Sequence, residues 1–137
     1  MSESLSIDEQ MIRYSGHHYL KQFIRGKPVQ FGFKQWAICG SQTGYFYHTQ
    51  AYEGKSKKLG DDESISGLGT YVALQMVSIL QTPNAHKVYS DNFFTRFSLM
   101  KNLQDIDIRA TGTVRFKRMN NCPIATDKEI TKKELQI

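Results

Sequence analysis

Lys87-Val-Tyr-Ser-Asp-Asn-Phe-Phe-Thr95 is the stretch that decides the fold. Lys87 to Ser90 reads as a short strand, and Asp91-Asn92 ends it with two residues that favour turns. Before it, Leu68, Val72, Met76 and Leu80 recur four residues apart, with Tyr71 and Ile79 beside them. That period predicts a mostly buried helix over 68–80, with Gln75, Ser78 and Gln81 as its polar edge and Pro83 as its stop. After it, Thr95 is placed to cap a helix running to about Gln104, with Leu99, Met100 and Leu103 inward. Ile108 to Phe116 then reads as a further strand. Strands that alternate with helices in this way are joined as parallel neighbours.

The N-terminal half has a different period. Leu5-Ser-Ile-Asp-Glu-Gln-Met11 alternates, with Leu5, Ile7, Glu9 and Met11 on one face and Ser6, Asp8 and Gln10 on the other. Lys21 to Pro28 is basic and interrupted by Gly26 and Pro28. Val29 to Cys39 is rich in β-branched and aromatic residues and predicts a long strand bent at Gly32. Gly40-Ser-Gln-Thr-Gly44 is a turn, and Tyr45 to Tyr52 returns as an aromatic strand. Leu5–Met11 extends this hairpin to a three-stranded meander. Gly54 to Ser66 is a polar connection in which Lys55, Lys57 and Lys58 precede Asp61, Asp62 and Glu63, a solvated mixed-charge loop. The order is β-β-β-α-β-α-β, an α/β (α+β) arrangement of one mixed sheet with helical cover.

Composition bounds what such a sheet can do. At 137 residues the chain is the size of one ordinary domain, and 39% apolar residues suffice for a core. No apolar run reaches the length of about 18–20 residues that a membrane span needs, and the first thirty residues have no signal-peptide pattern. The expected location is therefore nuclear or cytoplasmic. Cys39 and Cys122 lie far apart without a CxxC pair and read as two reduced thiols, one in a strand and one in a loop. The net charge of +5 is compatible with a polyanionic partner, and 109–118 holds four basic residues and no acid.

Two acids stand out. Asp8 lies within an apolar strand, and Asp91 lies at a strand end, where open α/β sheets place their ligands. Singly, each has an ordinary reading: an exposed acid on a half-buried strand, and an Asx turn. Two carboxylates, if brought together on adjacent strands, can hold magnesium or manganese, which take oxygen ligands. Two such ions about 3.5–4 Å apart can activate the attacking oxygen and stabilise the leaving oxygen in phosphoryl transfer.

Several segments resemble the piggyBac transposase family. Leu5-Ser-Ile-Asp-Glu-Gln-Met-Ile12 is similar to its first catalytic motif, and Ser90-Asp-Asn-Phe-Phe-Thr95 to its second. Gly26-Lys-Pro28, Phe31-Gly-Phe-Lys34, Gln42-Thr-Gly-Tyr45, Tyr52-Glu-Gly-Lys55 and Ala110-Thr-Gly-Thr-Val-Arg115 match the intervening and following segments. The resemblance spans about Ser4 to Arg118, nearly the whole chain. It implies a ribonuclease H-like fold over 1–137, with a core at about 4–118 followed by a loop and weak helix at 119–137, cut short before the last catalytic helix.

The resemblance also implies cut-and-paste movement of DNA, with Asp8 and Asp91 as catalytic residues and ligands of Mg2+ or Mn2+. The third family aspartate lies in a Gly-Gly-Val-Asp-like segment that nothing here matches, so the expectation is a chain without independent transposase activity. The implied partner is the DNA of transposon ends, with self-association left open and neither a membrane nor a small-molecule cofactor expected. Lys27, Lys34, Arg115, Lys117 and Arg118 are candidates for phosphate contacts, or else solvated surface. Phe93 and Phe94 could stack on a displaced base, with core packing as the alternative. A non-enzymatic, domesticated DNA-binding or interaction domain is the rival function.

Overall fold

The Leu5–Met11 alternation becomes a ten-residue strand, β1 (Ser4–Arg13), in the computed structural model, which describes residues 1–54 and 67–134. Next come β2 (Gln22–Phe23), β3 (Phe31–Gly40), β4 (Phe46–Ala51) and α1 (Leu68–Val77). They are followed by β5 (Lys87–Ser90), α2 (Phe97–Asp105), β6 (Arg109–Gly112) and α3 (Asp127–Glu134). The expected mixed-charge loop of Lys55, Lys57, Lys58, Asp61, Asp62 and Glu63 lies outside the described residues.

One mixed sheet runs in the order β2-β3-β1-β5-β6, with β4 also paired to β3. β1 and β3 are antiparallel from Leu5 opposite Gly40 to Arg13 opposite Gly32. β5 lies parallel to β1 on its other side, from Ser4 beside Lys87 to Ile7 beside Ser90, and β6 lies parallel to β5. The meander and the parallel half therefore meet along β1.

Alternation decides which face is dry. Leu5 and Ile7 of β1, Trp36 and Ile38 of β3, and Val88 of β5 pack in one cluster with Val72, Ala73, Met76 and Val77 of α1 and Leu99 and Leu103 of α2. Leu5, Leu99 and Phe94 are almost wholly excluded from water, and each contributes about 1.5–3 kcal/mol through that burial. Asp8 and Gln10, on the opposite face of β1, are exposed. Phe94 is a core residue and Phe93 packs half-buried against the core, so the packing alternative holds for this pair.

Several expectations need correction. Lys21–Pro28 contains a short strand, β2, which pairs with the start of β3. The helix expected over 68–80 ends at Val77, and Pro83 instead opens a short 3-10 turn, Pro83–Ala85. The Ser78 hydroxyl donates to the Gln75 carbonyl at 2.6 Å, a local bond that competes with continued helix. Thr95 does not cap α2, whose preceding residue is Arg96 and which has no side-chain cap. The Thr95 hydroxyl donates instead to the Asp91 carbonyl at 2.7 Å. The strand expected over Ile108–Phe116 stops at Gly112, because its ladder partner β5 ends at Ser90, opposite Gly112. Phe116–Arg118 is a 3-10 turn.

Gly32 shows why β1 and β3 can stay paired to the end of β1. A Cβ at this position would collide with the carbonyl oxygen of Ile12. Only glycine admits that approach of two backbones.

Candidate metal centre

β1 continues past the last residue of β5, and the site forms at that step. Ile7 is the last β1 residue paired with β5, at Ser90, so Asp8 and Asp91 are the next residues on two parallel neighbours. Each carboxylate is held by a main-chain donor. The Glu9 N–H donates to Asp8 Oδ1 at 2.7 Å. The Phe93 N–H donates to Asp91 Oδ1 at 2.9 Å, the Asx turn expected of this residue. The Thr95 N–H and hydroxyl both donate to the Asp91 carbonyl, tying the turn to the start of the next helix.

Glu9 joins the two aspartates. Asp8, Glu9 and Asp91 each offer a carboxylate oxygen, and these atoms lie within 4.8 Å of one another. The alternation of β1 assigns Glu9 to the opposite face from Asp8. Because β5 stops at Ser90, no strand among the described residues separates the faces on that side, and both side chains reach Asp91. A carboxylate directly after Asp8 was the available sequence signal for Glu9.

Although the Asp8 side chain is exposed, the surrounding protein partly desolvates its carboxyl and raises it above the usual aspartate range. The Glu9 N–H opposes this, the charges of Glu9 and Asp91 add to it, and Lys27 counters them. Negative charge gathered in a partly desolvated place is what a cation relieves, and three carboxylates are the hard oxygen donors that magnesium and manganese take. The residues present thus fit a divalent ion of this kind.

Basic residues surround the acids at different distances. Lys27 Nζ lies 3.1 Å from Glu9 Oε1. Partial burial disfavours its charge, but the bond to Glu9 and the charges of Glu9, Asp8 and Asp91 lift it above the usual lysine value. Lys34 sits over aromatic rings, with Nζ 4.1 Å from the Trp36 ring centre, 5.2 Å from Phe93 and 5.5 Å from Tyr52. Burial lowers its ammonium below the usual value, the Glu9 charge acting against that.

Arg118 donates to the carbonyls of Asn92 and Phe93, the two residues after Asp91. Burial and the charges of Arg96 and Arg115 lower its guanidinium from the usual value. Arg115 and Lys117 are exposed on the same chain segment. The structure therefore gathers Asp8, Asp91, Lys27 and Lys34 in one neighbourhood and brings Arg118 against the Asp91 turn. It adds Glu9 to the residues named from sequence.

Parallel β1 and β5 between an antiparallel meander and a further parallel strand, with acids at their adjoining ends, define a ribonuclease H-like fold. The family described as transposase IS4 matches residues 1–137. Human PiggyBac transposable element-derived protein 3 is 39% identical over 132 residues, covering 94% of this chain and 22% of that protein. Human PiggyBac transposable element-derived protein 2 is 35% identical over 135 residues, covering 96% of this chain and 22% of that protein. The piggyBac transposase in a synaptic complex with hairpin DNA superimposes with a TM-score of 0.73 at 27% identity, covering 89% of this chain and 25% of that one. The chain belongs to this transposase family, in its piggyBac-derived group. It spans about a fifth of the length of these curated relatives. Among the described residues no helix is long and apolar enough to cross a membrane.

Proposed function

We propose that this chain is the part of a piggyBac-type DNA strand-transfer domain that carries its first two metal-binding aspartates, and that it does not transfer strands by itself. The carrying observation is the parallel register of β1 and β5, which brings Asp8 beside Asp91. Asp8 and Asp91 hold the ion, Mg2+ or Mn2+, and the N–H groups of Glu9 and Phe93 orient them. A bound ion would supply Lewis-acid stabilisation and activation of a water or hydroxyl nucleophile. Lys27, Lys34, Arg115, Lys117 and Arg118 supply positive charge for the DNA backbone, and Arg96 extends that charge. The solved relative bound to hairpin DNA supports a DNA partner.

The proposed inactivity rests on the third acid. Among the described residues the acids grouped at ligand distance are Asp8, Glu9 and Asp91, all from the first two motifs. Glu9 is already paired with Lys27. The test is cleavage and joining of transposon-end DNA by the purified chain with Mn2+. The expected result is no product above background. Robust product that disappears in Asp8→Ala would overturn the inactivity and leave the site intact.

One observation favours a second reading, a domesticated DNA-binding domain. Burial, with the nearby charges of Arg96 and Arg115, disfavours the charged form of Arg118, whose guanidinium donates to the Asn92 and Phe93 carbonyls, a concentration of positive charge beside the Asp91 turn. Binding to duplex DNA would then weaken steeply with salt. A flat salt response, or no binding at low salt, counts against it.

A further inference from the structure

Lys34 differs from the other basic residues at the site. Lys27 is paired with Glu9, and Arg118 is bonded to main-chain carbonyls. Lys34 is half-buried, and among the described residues it has neither an ion-pair partner nor an acceptor for its three N–H donors. It is held instead by ring faces, those of Trp36, Phe93 and Tyr52. An ammonium over aromatic faces is attracted by their quadrupoles, and the attraction grows as water is excluded.

The cage is itself fixed. Trp36 is buried, and the Phe93 ring is stacked on it at 5.2 Å and 18°. Tyr52 meets Trp36 edge-on at 6.1 Å, and its N–H donates to the Lys34 carbonyl at 2.9 Å. The cage is also joined to the acids. Phe93 uses its N–H to hold the Asp91 carboxylate and its ring to hold the ammonium. Trp36 lies opposite Glu9 in the β1–β3 ladder. The Lys34 charge is near enough to Glu9 and Asp91 to interact with both.

We propose that Lys34, oriented by the Trp36–Tyr52–Phe93 cage, is the cation that receives the phosphodiester of the DNA strand entering the Asp8–Asp91 site. The ligands here are carboxylates, so until an ion neutralises them they repel the phosphate that has to approach. A cation paired with those ligands is of little help against that repulsion. Ring faces fix a cation without neutralising it, and its donors stay available to phosphate oxygen. The proposal rests on the reading of Asp8 and Asp91 as metal ligands.

The test combines two measurements on the whole chain. One is Mn2+ binding followed by electron paramagnetic resonance. The other is anisotropy of a fluorescein-labelled DNA duplex, titrated at several salt concentrations. Lys34→Gln should bind Mn2+ at least as well as wild type, because it removes a nearby positive charge. Its plot of log affinity against log salt should be shallower by about 0.9, the loss of one phosphate contact. Lys34→Arg should restore most of that slope. Tyr52→Leu, which removes one wall of the cage, should weaken DNA binding in the same direction by less.

A wild-type salt slope in Lys34→Gln, with Mn2+ binding still lost in Asp8→Asn, overturns the role of Lys34 and leaves the metal site standing. Absence of Mn2+ binding in the wild type overturns the metal-site reading and this inference with it. Circular dichroism of each variant checks that it is folded, and if Lys34→Gln is not, Tyr52→Leu carries the test, wild-type DNA binding in it overturning the role of the caged Lys34.

Discussion

Asp8 is held where its charge is disfavoured. Burial and the neighbouring Glu9 and Asp91 charges raise its carboxyl, and the Glu9 N–H and Lys27 offset part of that effect. The folded chain therefore binds the Asp8 proton more tightly than the unfolded chain does. The associated stability is fully present below the unfolded value and is lost as pH rises through the raised folded value. At neutral pH the charged group is a net cost to folding. Asp8→Asn removes the charge and keeps an oxygen for the Glu9 N–H. It should raise the melting temperature only slightly at neutral pH, because solvent screens most of the repulsion at this exposed side chain. That gain should shrink as pH falls through the raised folded value, where the aspartate itself becomes neutral. Thermal melts of both chains across this range check it, and a melting point for Asp8→Asn below wild type at neutral pH would contradict it. Glu3 works in the opposite direction, because its bond to Lys87 and the Lys87 charge hold its carboxyl low. Its contribution is present above the unfolded value and lost as pH falls. Full exposure keeps it small.

At the scale of elements, helix α1 sets the position of the Asp91 turn. Gly69 lies so close to that turn that a Cβ would collide with the Phe93 carbonyl and crowd the Phe94 Cα. That carbonyl also accepts from Arg118, so the turn is clamped between a helix backbone and a guanidinium. Gly69→Ala should cost about 2–3 kcal/mol, against its ordinary helix-favouring effect, because a close-packed contact must open. Urea unfolding measures the cost, and a variant as stable as wild type would show that α1 does not fix the turn.

The elements also divide by how far local sequence determined them. β1 was legible because it alternates, and β5 because Asp91-Asn92 ends it. The helix ends and β6 were not. Ser78 closes α1 through a bond to its own backbone, and β6 is limited by the length of a partner that lies nineteen or more residues earlier. β2 has two residues, too few for any period, and exists because β3 offers it an edge. Asp8 and Asp91 carried a motif. Glu9 needed knowledge of where β5 stops, and the cage around Lys34 needed Trp36, Tyr52 and Phe93 to be brought together from three segments.

The whole molecule is organised around one feature. The antiparallel meander and the parallel crossover half share β1, and the acids gather where β1 outruns β5. The core lies on one face of the sheet beneath α1 and α2, and its aromatic end, Trp36 with Phe93 and Phe94, adjoins the acids. Packing and site are thus coupled: the residues that fill this end of the core also fix Asp91 and Lys34. The central claim is that Asp8 and Asp91 together bind a divalent ion, and titration of the wild-type chain with Mn2+ by electron paramagnetic resonance, beside Asp8→Asn and Asp91→Asn, tests it most directly. The expected result is saturable binding by the wild type that each substitution weakens by at least about tenfold, since even losing a hydrogen-bond partner of a ligand costs about that much. Equal Mn2+ binding by all three chains would contradict it.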